Sequence, residues 1–123
     1  MSADPYSRTV RTLFAAPAHA GDVDGGELVA VDEQGVRLQL SARAEDNIIA
    51  AIRFRAWGCP HTIAAAELAC AELEGQPVAD LLDFPVSGLM EKLPVPVEKT
   101  GRILVLEDAI RLLGQRFGVG SRS

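Results

Sequence analysis

Cysteine and aromatic residues are scarce in this chain of 123 residues. It contains two cysteines, one tryptophan and one tyrosine, and aromatic residues make up 5% of the chain. Two cysteines are too few for a disulfide framework, and the separation of Cys59 and Cys70 matches no zinc-binding pattern. We therefore expect a protein of the reducing cytoplasm.

Basic residues and long apolar runs are also in short supply. The 12 basic residues are outnumbered by 17 acidic ones, so the formal net charge is −5. An acidic surface argues against nucleic acid as a partner, because phosphate binding depends on Lys and Arg. No apolar run approaches the roughly 18 residues of a membrane span, and the N-terminus lacks the basic head and apolar stretch of a signal peptide. We therefore expect partners other than nucleic acid and membranes.

The remaining composition is that of one globular domain. The chain is 48% apolar and 24% charged, and a chain of this length can bury a single core. The apolar period is two in the middle of the chain and changes to a helical period at Gly58. The predicted parts are an N-terminal helix and loop, a sheet, and a helical part, at residues 1–26, 27–57 and 58–123. This order predicts an α+β fold, a three-stranded antiparallel sheet with helices packed on one face.

Finer patterns predict the bounds and the buried faces of these elements. The predicted strands are residues 27–33, 36–42 and 48–56, and the predicted helices are residues 7–16, 60–74 and 102–117. In the third strand, strict alternation puts Ile48 and Ala50 on the same face as Ile52. In the last helix, one apolar stripe predicts the buried face: Ile103, Leu106, Ile110 and Leu113.

The junction between the third strand and the next helix is the most informative local feature. Cys59 follows a glycine and precedes Pro60, a residue suited to the first position of a helix. A sulfur there would face free backbone N–H groups and the positive end of the helix dipole, which lower the pKa of a thiol. Cys59 is thus a candidate reactive or metal-binding thiolate, with His61 as a candidate second donor. The alternative is a small buried residue at a packed turn, the role we expect for Cys70 in the core.

Short motifs along nearly the whole chain resemble one known family. In chain order these motifs are Tyr6-Ser7, Val10, Phe14, Pro17, His19-Ala20-Gly21, Arg53-Phe54, Trp57-Gly58-Cys59, Thr62-Ile63-Ala64-Ala65-Ala66, Leu93-Pro94 and Leu106-Glu107-Asp108-Ala109-Ile110. Their order and spacing are similar to those of the IscU-type iron–sulfur cluster assembly scaffolds, a family that includes the N-terminal domain of NifU. The resemblance implies the scaffold fold and a role in cluster assembly.

The same resemblance shows where this chain departs from the family. Family scaffolds hold the cluster with three cysteines, helped by an Asp and a His, and Cys59 matches the middle cysteine. Glu33 stands at the place of the first cysteine and Arg102 at that of the third, while glycines 35 and 101 stand at those of the Asp and the His. One thiolate cannot complete a two-iron cluster, whose usual complement is four cysteines. A cluster bound by one chain in the family's manner is therefore not expected.

The residues around these positions have more than one interpretation. Carboxylates such as Asp32 and Glu33 are harder donors than thiolates, and both residues are also consistent with a solvated turn. Arg102 would add positive charge to a cation site, or it is a solvent-facing residue at a helix start. His19 is expected to make structural hydrogen bonds in the N-terminal loop. The segment Leu93–Lys99 keeps the extended, proline-rich character of the family's cochaperone docking segment but not its order of residues.

Two functions of different classes remain open. The first is a scaffold-like role in iron–sulfur cluster assembly, in which iron, sulfur or a cluster is taken up at Cys59. The candidate cofactor-binding residues are then Cys59, Asp32, Glu33, His61 and Arg102, with Cys59 as the metal ligand. The second is an interaction or regulatory module that keeps the scaffold fold, holds no cluster and binds cluster-assembly partners.

The expected partners are a cysteine desulfurase or other cluster-assembly proteins. We expect a monomer or a weak homodimer, and a dimer bridged through Cys59 of each chain is one arrangement that would supply two thiolates. An enzyme with Cys59 and His61 as nucleophile and base is disfavoured, because no third group that would orient the base is evident. We therefore expect no enzymatic activity.

Overall fold

The computed structural model describes residues 18–33, 35–57, 60–84, 88–89 and 100–117, without the side chains of Thr100 and Arg102. Three features of the sequence analysis lie outside these residues: the helix of residues 7–16, the surroundings of Cys59 and the segment Leu93–Lys99. The rest of the predicted architecture can be compared with the structure directly.

Three strands form one antiparallel sheet in the order β1-β2-β3. They span Glu27–Glu33 (β1), Val36–Glu45 (β2) and Ile48–Trp57 (β3). Asp46 and Asn47 connect β2 to β3 with φ values of 54° and 66°, the left-handed pair that a two-residue hairpin turn requires. The predicted sheet is confirmed, and β2 continues three residues beyond its predicted end.

A bulge in β3 changes which side chains enter the core. The register between β2 and β3 shifts by one residue after Arg43, which leaves Ala50 as an extra residue on β3. An extra residue reverses the alternation of the side chains that precede it. Ile49 is accordingly 0% exposed and Ile48 38% exposed. The prediction that Ile48 and Ala50 share the buried face of Ile52 is therefore wrong.

Two α-helices pack on the sheet, as predicted. Helix α1 spans Pro60–Leu73 and lies on β3, and helix α2 spans Thr100–Arg116 and lies on β1 and β2. A short 3₁₀ helix, Val78–Leu81, contacts α2. The predicted stripe of α2 is confirmed, because all four of its residues are at most 1% exposed. Among the described helices, none has the length and apolar character that crossing a bilayer needs.

Helix α1 is nearly surrounded by protein. Nine of its 14 residues are buried, including the polar residues His61, Thr62 and Glu67. Cys70 is also buried there, 1% exposed, which confirms its predicted place in the core. A polar group buried without a hydrogen bond lowers stability, so the partners of these three side chains are informative.

The edge of β3 that faces away from β2 is covered by two other segments. Residues 19–21, here called the strap, run parallel to β3: the N–H of Phe54 donates to the carbonyl of His19 at 2.9 Å, and the N–H of Gly21 donates to the carbonyl of Phe54 at 2.8 Å. Nearer the start of β3, Ile49 exchanges 2.8 Å hydrogen bonds with the backbone of residues 75 and 76. Covering of this kind blocks unwanted pairing at a sheet edge.

Candidate functional site

The carboxyl-terminal ends of β1 and β3 lie at the same end of the sheet. The register places Asp32 opposite Arg37 and Arg37 opposite Trp57, so these residues form a row across the three strands. Neighbouring strands are about 4.8 Å apart, which puts the backbones of Asp32 and Trp57 roughly 10 Å from each other. Cys59 follows Trp57 by two residues and lies outside the described residues. The last residues of β1 and of β3, the strand that precedes Cys59 in the sequence, therefore lie at the same end of the sheet.

The carboxylates of Asp32 and Glu33, at the end of β1, lie in different surroundings. Asp32 Oδ2 lies 3.6 Å from Arg37 Nε, and both side chains are about two-thirds exposed. Glu33 lines a surface depression of about 240 Å³ beside the middle and later turns of α2, with Asp108 and Arg111. The ion pair of Asp32 is of the weak, solvent-screened kind. The position of the Arg102 side chain relative to these carboxylates stays a prediction.

Helix α1 begins at Pro60, directly after Cys59, as the sequence predicts. The first turn of a helix leaves backbone N–H groups without helical partners, and these groups carry partial positive charge. His61 is 2% exposed and already engaged in an interaction of its own. Thr62 is 1% exposed, and its hydroxyl oxygen has no hydrogen-bond partner in the described part of the protein. The start of α1 thus combines a helix N-terminus with a buried hydroxyl that has no partner among the described residues.

An open pocket of about 240 Å³ lies between the strap and this end of β3. Its lining comes from the strap, from the last four residues of β3 and from the first turn of α1: Ala20, Gly21, Phe54, Arg55, Ala56, Trp57 and Ile63. Trp57 is 48% exposed at its rim. Arg55 pairs with Asp22 at 2.9 Å, and the hydrogen bond from Arg55 holds the pKa of Asp22 below its usual value. The pocket therefore opens to solvent beside the end of β3 and the first turn of α1.

No group of three or more His, Cys, Asp or Glu side chains that could hold a metal ion occurs among the described residues. Asp32, Glu33 and His61 therefore do not converge as a ligand set within the described part of the chain. With Cys59 as one thiolate, the donors of a single chain do not fit the complement of four thiolates that a two-iron cluster usually has.

A second polar cluster, at the other end of α1, was only partly anticipated by the sequence. Glu67 accepts hydrogen bonds of 2.6 Å from the backbone N–H of His19 and from its ring nitrogen Nδ1. Glu74, just past the end of α1, accepts a 2.6 Å hydrogen bond from Arg53 and a 3.2 Å bond from the N–H of Ile52. The Nε2 atom of His19 lies 3.3 Å from the other oxygen of Glu74. This His19–Arg53 cluster ties the strap to α1 and to the edge of β3.

The prediction that His19 makes structural hydrogen bonds is confirmed, whereas the roles of Glu67 and Glu74 were missed. The one available signal was an acidic residue, Glu67, inside an alanine-rich run whose neighbours are buried. Charged residues are almost never fully buried unless they are paired. That signal indicates a partner but not which one, because His19 is 48 positions away in the sequence.

Two pKa shifts follow from the packing around this cluster. Burial alone would raise the pKa of the Glu74 carboxyl, but hydrogen bonds from Arg53 and from the Ile52 N–H outweigh it and hold the pKa below its usual value. Burial, aided by the nearby Glu67, raises the pKa of the Cys70 thiol far above its usual value. Cys70 therefore remains a protonated core residue at neutral pH.

Comparison with known proteins gives consistent matches over most of the chain. The model of one family, described as the NifU-like N terminal domain, matches residues 5–113. A relative from Trachipleistophora hominis, named iron sulfur cluster assembly protein 1, is 30% identical over 112 residues, which are 86% of this chain and 81% of the relative. An iron-sulfur cluster assembly scaffold protein, IscU, from Rickettsia prowazekii is 28% identical over 114 residues, 86% of each chain.

One solved structure supports the fold independently of sequence. The N-terminal NifU-like protein from Brucella abortus superposes with a TM-score of 0.72 over 95% of both chains, at 12% sequence identity. At so low an identity the similarity concerns the fold alone.

Proposed function

Because the chain belongs to the family of NifU-like N-terminal domains, we propose that it acts as a scaffold-like protein of iron–sulfur cluster assembly and accepts sulfur at Cys59. Relatives that match 86% of this chain are named as cluster assembly or scaffold proteins. The observation that carries the proposal is the place of Cys59 in the sequence, between the end of β3 and the first residue of α1. A thiol that precedes a helix is activated as a nucleophile by the unpaired N–H groups of the first turn.

The sulfur-acceptor role needs only one cysteine. The thiolate of Cys59 attacks the outer sulfur of a donor persulfide, and the S–S bond of the donor breaks as the new S–S bond forms. The donor leaves as a thiolate with the electron pair of the broken bond, and Cys59 carries the persulfide. One sulfur atom has moved without an external oxidant or reductant. The proposed donor is the persulfide of a cysteine desulfurase, which would approach through the pocket beside Trp57.

The donor atoms of a single chain suit the acceptance of sulfur at one thiolate better than they suit the binding of a complete cluster. Asp32 already faces Arg37 in an exposed ion pair, and oxygen donors are poor ligands for the iron of a sulfide cluster. Iron or a cluster taken up at Cys59 would need further thiolates, from a second chain or from a small thiol. An iron–sulfur cluster would then be the cargo of the protein and not its resident cofactor.

The test is sulfur delivery by a cysteine desulfurase with cysteine as its substrate, read by mass spectrometry of the cysteine-containing peptides. We expect a mass increase of one sulfur on the peptide that carries Cys59, and its loss in Cys59→Ser. Cys70→Ala is the matched control and should leave the modification unchanged. If Cys59 stays unmodified while the desulfurase turns over, the protein is an interaction module that keeps the fold without the chemistry.

The comparison with the family's ligand positions gives a second test. The variant with Glu33→Cys and Arg102→Cys restores soft ligands at the two aligned positions, so we expect it to bind more iron–sulfur cluster than the wild type on anaerobic reconstitution. The visible absorption spectrum reports the bound cluster. A variant that binds no more cluster than the wild type would show that these two positions do not meet at Cys59.

A further inference from the structure

The edge of β3 that faces away from β2 is hydrogen-bonded at successive positions along the strand. Alternate residues of a strand present their backbone N–H and C=O groups to the same edge. The N–H of Ile52 bonds Glu74 at 3.2 Å, and the carbonyl of Ile52 accepts a 2.7 Å bond from Arg53. Both backbone groups of Phe54 bond the strap, at 2.9 and 2.8 Å. Ala56 follows Phe54 by two residues, so its N–H and C=O groups face this same edge.

The strap does not extend as far as Ala56. If the parallel ladder continued, the carbonyl of Gly21 and the N–H of Val23 would bond Ala56. Instead, the N–H of Val23 donates to Ser41 Oγ on β2 at 2.9 Å. Gly21, with a φ of 136°, lies where the chain leaves the edge, and this backbone conformation favours glycine. No hydrogen bond joins the edge-facing groups of Ala56 to any described residue.

The space beside Ala56 is open. It is the pocket of about 240 Å³ between the strap, the end of β3 and Ile63 of α1. Sites for small molecules usually have about 300–1,000 Å³, so this pocket is small for such a ligand. An exposed strand edge is instead suited to an extended peptide, whose main chain adds to the sheet as a further strand. Trp57, 48% exposed at the rim, offers the kind of side chain that often dominates a protein interface.

We propose that the end of β3 is a docking site for an extended segment of a partner protein, which lies in line with the strap, runs parallel to β3 and hydrogen-bonds Ala56. The strap itself shows that this edge accepts a parallel segment, because it pairs with Phe54 in that way. One apolar side chain of the segment would fill the space beside Trp57 and Ile63. The inference goes beyond the proposed function, since it concerns how a partner's main chain is held and requires no reaction at Cys59.

The first measurement is amide hydrogen exchange of the free protein at the edge-facing amides of β3, read by NMR at two protein concentrations. The amide of Ala56 should exchange at least about tenfold faster than those of Ile52 and Phe54, which are hydrogen-bonded. An Ala56 amide as protected as that of Phe54 would mean that the fold supplies its own partner. Protection that rises with protein concentration would mean that a second copy of the chain is the occupant. Either result would overturn the proposal.

The second measurement adds a short capped peptide of alternating valine and threonine, residues that favour extended strands. At millimolar concentration it should slow exchange at Ala56, shift the indole N–H signal of Trp57 and leave the amide of Ile52 unchanged. Its fully N-methylated counterpart cannot donate to the Ala56 carbonyl, so it should bind about two- to tenfold more weakly. An unchanged Ala56 signal, or equal binding of the two peptides, would contradict pairing through the main chain.

Two variants test the site from the side of the protein. Ala56→Pro removes only an edge-facing N–H, a change that edge strands tolerate, and should weaken peptide binding about two- to tenfold. Trp57→Ala leaves the backbone intact and should weaken binding several-fold. Leu112→Ala, at a residue 41% exposed on α2, is the matched control and should bind as the wild type does. Wild-type binding by Trp57→Ala, or an equal loss in Leu112→Ala, would overturn the proposal. Sulfur transfer to Cys59 is a separate measurement, so its absence would contradict the proposed function alone.

Discussion

Buried polar side chains in the two halves of helix α1 differ in whether they have hydrogen-bond partners among the described residues. In the second half of the helix, Glu67 is 5% exposed and accepts hydrogen bonds from both the backbone and the ring of His19. In the first turn, Thr62 is equally buried and has no partner in the described part of the protein. The polar contacts in the C-terminal half stabilise the fold, because both of them hold the strap against α1. At the N-terminal end, the Thr62 hydroxyl makes no such contact with the described residues.

The largest loss of stability is expected from substitutions in the hydrophobic core between the sheet and the two helices. Ile52 and Leu106 are each 0% exposed, so Ile52→Ala and Leu106→Ala should each lower the free energy of unfolding by about 2–5 kcal/mol. Denaturant unfolding measures both. Leu112→Ala, at a residue 41% exposed on α2, is the control. Equal midpoints for all three variants would show that the assignment of the buried faces is wrong.

A smaller but still clear loss is expected at the second half of α1. Glu67→Gln keeps the size of the side chain but removes the charge that accepts two hydrogen bonds from His19. We expect it to lower the free energy of unfolding by about 1–3 kcal/mol. Glu45→Gln, in an exposed ion pair with Arg43, should change it by less than about 0.5 kcal/mol. A neutral Glu67→Gln would remove the contrast between the two ends of the helix.

Glu74 should make part of the stability depend on pH. Its folded-state pKa lies below the ordinary value of 4.5, so the folded protein favours the charged form more than the unfolded chain does. The stabilisation is therefore fully present above about pH 4.5 and is lost as the pH falls through the lowered folded-state pKa. The difference in unfolding midpoint between wild type and Glu74→Gln should be larger at pH 7 than at pH 3. A difference that grows toward pH 3 would contradict the described hydrogen bonds.

The smallest effect is expected at the exposed end of β1. Asp32→Asn removes one partner of a solvent-exposed ion pair with Arg37, so the free energy of unfolding should change by no more than about 0.5 kcal/mol. Sulfur transfer to Cys59 should be unchanged, since Asp32 is not needed for a nucleophilic thiolate. A loss of sulfur transfer in Asp32→Asn would make Asp32 part of the site and reopen its role as a ligand.

The fold was largely predictable because its signals are local. The change from a period of two to a helical period at Gly58, together with short polar turns, predicts strand and helix bounds to within a few residues. The bulge at Ala50 was not predictable, because residues 48–52 are all Ile or Ala and both faces of the strand are apolar there. Strict alternation is a poor guide in such a stretch.

The polar clusters were less predictable because they depend on long-range contacts. The motif resemblance singled out Cys59 and the start of α1, but the pairing of Glu67 with His19 joins residues 48 positions apart. The lack of a partner for the Thr62 hydroxyl among the described residues is likewise a property of packing, because nothing in the sequence distinguishes a buried threonine. The sequence therefore points to Cys59 as a candidate, which stays a prediction, and the long-range polar contacts are visible only in the structure.

The most direct test of the proposed function is the uptake of sulfur from a low-molecular-weight persulfide by wild type, Cys59→Ser and Cys70→Ala, measured peptide by peptide. Cys59 alone should take up the sulfur, Cys59→Ser should take up none, and Cys70→Ala should take up as much as wild type. Modification of Cys70 in the folded protein, or equal uptake by wild type and Cys59→Ser, would contradict the proposed function.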